Sequence, residues 1–97
     1  MRSQMMQDHA VKQIDELLQA LGDPVDLSRH SVGSIDLLLE HLRGARRYLL
    51  AAMPLEYELN LREAHGTLDC IGDNDLRDRT RRTIESLLDD HHHLAAA

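Results

Sequence analysis

The 97-residue chain carries 17 acidic against 11 basic side chains, for a formal net charge of −6, and two tyrosines are its only Phe, Tyr or Trp residues. That length predicts a single domain over residues 1–97 with a modest core, and the scarcity of aromatic and β-branched side chains argues against an all-β fold. The negative charge disfavours a general nucleic-acid binder, and the sequence has no run of about 18 apolar residues that would predict a membrane span.

The first helix is predicted over residues 4–21, where apolar residues recur at intervals of three and four. The members of this stripe are Val11, Ile14, Leu18 and Leu21. Gly22 is expected to cap the C-terminus of the helix, and Asp23 with Pro24 is expected to stop it.

The second helix is predicted over residues 31–53, with Ser28 or Ser31 as its N-cap. Its inner stripe is Ile35, Leu38, Leu42, Ala45, Leu49 and Ala52, widened on one side by Leu39, Leu50 and Met53. Pro54 is expected to end or kink this helix at Met53, because proline removes a backbone donor and restricts the residue before it. The sequence therefore predicts a sharp joint at Pro54.

The stretch PLEYELNLRE, residues 54–63, alternates apolar and polar residues, which is typical of a half-buried strand. An extended segment over residues 55–61 is therefore one alternative. A lone strand would have no second strand to satisfy its backbone groups, which favours a helix over residues 55–71.

On a helical wheel, residues 55–71 carry two opposed apolar stripes. The stripe expected to face the core is Tyr57, Leu61, Ala64, Leu68 and Ile71. The opposite stripe, predicted to be a partner-binding seam, is Leu55, Leu59, Gly66 and Cys70, flanked by Glu56, Glu58 and Glu63. A helix within the same chain could cover this seam instead. Glycine inside a helix costs roughly 1 kcal/mol relative to alanine, and close approach of a neighbouring helix would explain Gly66.

The fourth helix is predicted over residues 75–92, with Asn74 or Asp75 as its N-cap, and residues 92–97 are expected to fray. Its inner face is Leu76, Thr80, Thr83, Ile84, Leu87 and Leu94. Together the four segments predict an all-α fold, a small four-helix bundle with up-and-down topology.

Candidate chemistry is sparse. His91, His92 and His93 are consecutive, so in a helix they point about 100° apart, and we expect only loose Zn²⁺ or Ni²⁺ binding rather than a metal site. Cys70 is the single cysteine and cannot form an internal disulfide, which favours a reducing cytoplasm. With Asp69 beside it, Cys70 is expected to be structural rather than nucleophilic. Neither an enzymatic activity nor a cofactor is expected.

The stretch EHLRGARR places His41, Arg43 and Gly44 on the second helix. This resembles histidine phosphotransfer domains, which are helical bundles with an exposed phospho-accepting histidine, followed by lysine at the third and glycine at the fourth position. Here Arg43 comes two residues after His41 and Gly44 three, so the register is one residue shorter. The resemblance implies phosphotransfer through His41 as an alternative function.

Two arginine clusters leave open a nucleic-acid-associated regulator whose phosphate contacts would come from Arg43, Arg46, Arg47, Arg77, Arg81 and Arg82. No aromatic residue accompanies either cluster to stack on bases, which favours solvated, ion-paired helix faces. The preferred function is a non-catalytic interaction module, a small cytoplasmic adaptor, inhibitor or regulator acting through helix–helix contacts. Its expected partner is a second copy of itself (a homodimer) or another protein.

Overall fold

The computed structural model describes residues 2–22 and 32–96, with side chains for residues 7–22 and 35–93. Within those ranges the elements are α1 (Arg2–Leu21), α2 (Val32–Leu50), α3 (Pro54–Gly66), a 3₁₀ helix (Leu68–Cys70) and α4 (Asn74–Ala96). The described residues include no strand, so the predicted all-α fold is confirmed and the extended alternative for residues 55–61 is wrong. The predicted stop at Asp23 and Pro24 and the predicted caps Ser28 and Ser31 lie outside the described residues.

The four helices form an up-and-down bundle in which each packs on its neighbours in sequence and α1 also packs on α4. The antiparallel sense of α1 and α2 follows from two contacts. Gln7 Nε2 donates to the Leu49 carbonyl at 2.9 Å, and eight residues further along α1 Asp15 pairs with Arg46 at 2.7 Å. Helices α3 and α4 are also antiparallel; the pairs that join them are Glu58 with His92 and His65 with Glu85.

The core lies between the helices and is built from the predicted apolar stripes. The stripe of residues 55–71 that was assigned to the core is at most 3% exposed: Tyr57, Leu61, Ala64, Leu68 and Ile71. It packs with Ile14, Leu21, Ile35, Leu38, Leu42, Ile84 and Leu87. Thr80 is fully buried, and its hydroxyl donates to the Leu76 carbonyl at 2.7 Å, so this polar group is satisfied within α4. The side chain of Leu94 lies outside the described residues.

The joint between α2 and α3 differs from the prediction, because α2 ends at Leu50 rather than Met53. Ala52 adopts a left-handed conformation with φ of 58°. The Ala52 N–H donates to the Leu49 carbonyl at 3.2 Å and the Met53 N–H to the Tyr48 carbonyl at 2.9 Å, which is the hydrogen-bond pattern of a Schellman motif. Pro54 therefore begins α3, at the first helical position that proline favours.

The end of α3 also differs from the prediction. The helix ends at Gly66 rather than residue 71, and the Thr67 hydroxyl donates to the Ala64 carbonyl at 2.9 Å. Close helix approach does not explain Gly66, because a Cβ built there meets nothing within 4 Å. The close approach occurs at Gly44 instead, where a Cβ would lie 3.0 Å from Asn60 Cγ.

Helix α4 begins one residue before the predicted start and continues to Ala96, past the predicted end at residue 92. Its N-cap is Asp73, whose carboxylate accepts the Leu76 N–H at 2.9 Å, so the predicted caps Asn74 and Asp75 are wrong. Asn74 instead accepts a hydrogen bond from the Arg77 guanidinium at 2.6 Å.

Candidate functional site

Large apolar side chains are exposed around the α2–α3 joint. Those that are exposed among the described residues are Leu37 (50%), Leu50 (53%), Met53 (40%), Leu55 (78%) and Leu59 (57%). All but Leu37 fall within residues 50–59, and we call these four the outer patch. A cluster of exposed apolar residues at one place on a small protein marks an interaction surface more often than scattered ones do.

The exposure of the outer-patch residues on α3 and of those at the joint has different structural reasons. Leu55 and Leu59 are four residues apart on α3, so they lie on one helix face, opposite Tyr57 and Leu61. Leu50 and Met53 were predicted to widen the core stripe of α2, which is wrong. Leu50 is the last residue of α2 and lies at the edge of its core stripe, and the left-handed turn at Ala52 redirects the chain before Met53, so both side chains face solvent.

Only part of the predicted partner-binding seam is exposed in the structure. Leu55 and Leu59 are exposed as predicted, and Gly66 is exposed at the C-terminus of α3. Cys70 is only 8% exposed and packs in the core with Leu68 and Ile71. A continuous α-helix would place Cys70 on the outer face, but α3 has ended and the 3₁₀ helix turns this side chain inward.

Of the acidic residues that flank the seam, Glu58 is directed toward α4. Its carboxylate lies 2.5 Å from His92 Nε2, 3.9 Å from His91 Nε2 and 3.5 Å from Arg62 Nε. The hydrogen bond with His92 lowers the pKa of Glu58, and Arg62 adds to this effect. Glu63 is exposed and Glu56 is half-buried. Glu58 therefore contributes to the α3–α4 contact rather than to the rim of the outer patch.

A cavity of about 340 Å³ opens beside the joint, between all four helices. Its walls are Gln7 and Ala10 of α1, Tyr48 and Leu49 of α2, Ala52, Met53, Pro54 and Tyr57 of the joint and α3, and Leu87, Asp90 and His91 of α4. Burial raises the pKa of Tyr57 to about 12, with a further contribution from the Asp90 carboxylate. The His91 ring packs edge-on against Tyr57 with centroids 5.2 Å apart.

Sequence reasoning missed this cavity, although a signal for it exists. The inner face of α4 passes through Leu87, and the next positions at helical spacing are Asp90 and His91, where a closed core would require apolar residues. An acid and an imidazole on a core-facing stripe indicate a polar or open site between the helices.

The two arginine clusters do not form a single patch. Arg43, Arg46 and Arg47 are on α2 and Arg77, Arg81 and Arg82 on α4, which are diagonal rather than adjacent in the bundle. Their ion pairs are Arg46 with Asp15 at 2.7 Å, Arg81 with Asp78 at 3.0 Å and Arg43 with Glu40 at 4.0 Å. The Arg77 guanidinium donates to the Ile71 carbonyl at 3.2 Å. Arg47 and Arg82 are exposed on separate helices.

The remaining candidate residues are His41, the three consecutive histidines of α4 and Cys70. His41 is half-buried in the middle of α2. His91 and His92 both turn toward Glu58, whereas His93 is exposed. Across the described side chains, no group of three or more His, Cys, Asp or Glu is arranged to hold a metal ion. Burial raises the pKa of the Cys70 thiol, which opposes formation of a nucleophilic thiolate.

Comparison with protein-family models, with curated proteins and with solved structures finds no match for this chain. None of the helices in the described part of the chain is long and apolar enough to cross a membrane.

Proposed function

We propose that this chain is a non-catalytic protein–protein interaction module of the cytoplasm, and that it associates through the outer patch with a second copy of itself. The observation that carries this proposal is the exposure of Leu50, Met53, Leu55 and Leu59 within ten residues of chain. Covering them would remove apolar surface from water, which is the main driving force of association. The buried free thiol of Cys70 suits a reducing compartment.

Charge on the outer face of α3 favours a second copy as the occupant. Arg62 lies seven residues after Leu55, hence on the same helix face, whereas Glu56 lies about 100° from Leu55 on one flank. If two α3 helices pack antiparallel about Leu59, Arg62 of each copy lies at the same height along the interface as Glu56 of the other. A two-fold interface repeats every contact, so the arrangement is self-complementary in apolar area and places charges of opposite sign at the same level of its rims.

The experiment is absolute mass by light scattering over a concentration series, on the wild type, Leu59→Glu and Leu37→Glu. Leu59 is 57% and Leu37 50% exposed, so both variants place the same charge at a similarly accessible helical site. Thirteen residues separate Leu37 from the end of α2, which is about 20 Å along a helix. We expect a wild-type dimer that Leu59→Glu dissociates and Leu37→Glu leaves intact.

Circular dichroism shows whether each variant remains folded. A wild type that stays monomeric at every concentration overturns the proposal. So does a dimer that folded Leu59→Glu leaves intact, or one that both variants weaken to the same extent.

A further inference from the structure

The cavity beside the α2–α3 joint has the size and lining of a ligand site. Its volume of about 340 Å³ lies in the range of about 300 to 1,000 Å³ typical of small-molecule pockets. A cavity of about 150 Å³ is enough to hold benzene. Most of the wall is apolar, with Ala10, Leu49 and Leu87 from three different helices.

The polar groups in the wall select for charge. Among the described residues that line the cavity, Asp90 is the only Asp, Glu, Lys or Arg, and the rings of Tyr48, Tyr57 and His91 line it as well. A carboxylate attracts a cation and repels an anion, and aromatic faces add cation–π attraction when the cation leaves water. Gln7 already donates an amide N–H to the Leu49 carbonyl, which leaves its oxygen as an acceptor.

We propose that this cavity binds a small ligand that has an aromatic or short aliphatic body and a primary ammonium group. The body lies against Ala10, Leu49 and Leu87, and the ammonium donates to the Asp90 carboxylate. Of the outer patch, Met53 also lines the cavity, whereas Leu50, Leu55 and Leu59 do not. A titration on Leu59→Glu therefore separates ligand binding from self-association.

The charged and titratable groups beside the site set the conditions of the test. On α4, His91 follows Asp90 and is in contact with Tyr57, and His91 Nε2 lies 3.9 Å from Glu58 Oε1 on α3. Primary alkylamines are protonated at about pH 8. Binding is measured at that pH, so that the amine probe is the cation.

The probes are 2-phenylethylamine, 2-phenylethanol and phenylacetate, which share a phenyl ring and differ in charge. Each is titrated into the full ¹⁵N-labelled chain, and amide shifts are followed by NMR. For the amine we expect saturable chemical-shift changes at the cavity residues. The alcohol should bind with an affinity at least about tenfold lower, because it loses a charge-assisted hydrogen bond. Phenylacetate should not bind.

The matched variants are Asp90→Asn and Asp89→Asn. Both remove one negative charge, but Asp89 is exposed and does not line the cavity. We expect Asp90→Asn to weaken amine binding by about tenfold or more and Asp89→Asn to leave it within about twofold. Equal binding of amine and alcohol, equal effects of the two variants, or no saturable amine shift overturns the proposal.

The same titration on Leu59→Glu separates the two proposals. We expect amine binding to persist in this variant whether or not the wild type is a dimer, because Leu59 does not line the cavity. Loss of amine binding in folded Leu59→Glu overturns the cavity proposal.

Discussion

His92 Nε2 on α4 lies 2.5 Å from the Glu58 carboxylate on α3, and this contact lowers the pKa of Glu58. Together with His65 and Glu85, 3.0 Å apart, it makes histidine–carboxylate pairs a recurring link between these two helices. Such pairs require an imidazole with a proton to donate and an ionised carboxylate, so their contribution depends on pH.

Acid unfolding tests the Glu58 contact. A carboxyl group whose folded-state pKa lies below its unfolded value, here an ordinary value of 4.5, contributes stability that is present above that value and is lost as pH falls through the folded pKa. We expect Glu58→Gln to make the urea midpoint less dependent on pH below 4.5. Glu63→Gln, at an exposed position of the same helix, is the control. Equal pH dependence in both variants would contradict the assignment.

Alkaline unfolding tests the burial of Tyr57, which is 3% exposed and whose pKa is raised to about 12. A group with a raised folded-state pKa contributes stability that is fully present below its unfolded value, near 10, and lost as pH rises through the folded value. We expect a loss of about 2 to 3 kcal/mol in unfolding free energy between pH 10 and 12.

The measurement for Tyr57 is denaturant unfolding at a series of alkaline pH values, with tyrosinate absorbance recorded in parallel. In Tyr57→Phe the alkaline loss of stability should shrink and the late-titrating component of the absorbance should disappear. A late component that remains in Tyr57→Phe would assign it to another group.

The left-handed turn at Ala52 gives a prediction about stability. An L-residue in this conformation costs about 1 to 2 kcal/mol, which glycine avoids at some loss of unfolded-state entropy. We expect Ala52→Gly to raise the free energy of unfolding by about 0.5 to 1 kcal/mol, measured by urea denaturation. Ala51→Gly is the control, since Ala52 is the only non-glycine residue of the described chain with positive φ. Stabilisation by Ala51→Gly alone would show that the turn is misassigned.

Much of the fold follows from local patterns in the sequence. Apolar residues spaced by three and four positions predict an amphipathic helix in each of the four segments. One residue from each stripe is fully buried: Ile14, Leu38, Leu61 and Ile84. Pro54 correctly indicates where one helix gives way to the next. These predictions succeed because helical periodicity depends on residues within one or two turns of each other.

The candidate site was only partly predictable. Leu55 and Leu59 were identified because they lie opposite a core stripe on the same helix. Met53 was assigned to the core because the wheel was continued past the real end of α2, and Leu50, the last residue of α2, lies at the edge of the core stripe. With alanine instead of glycine in the left-handed position, Pro54 is the nearest stop signal, and it does not show that α2 ends several residues earlier.

The sequence by itself therefore determined the four α-helices of the described residues, their core-facing stripes and the place of the joint, because each rests on local patterns along the chain. Tertiary structure decided that Cys70 packs inward, that Glu58 contacts His92 and that Asp90 and His91 line a cavity instead of closing the core. Each of these depends on where a helix ends or on residues more than 30 positions apart in the chain, such as Tyr57 and Asp90. Such contacts form only when the helices pack, because the packing sets the distances between their side chains.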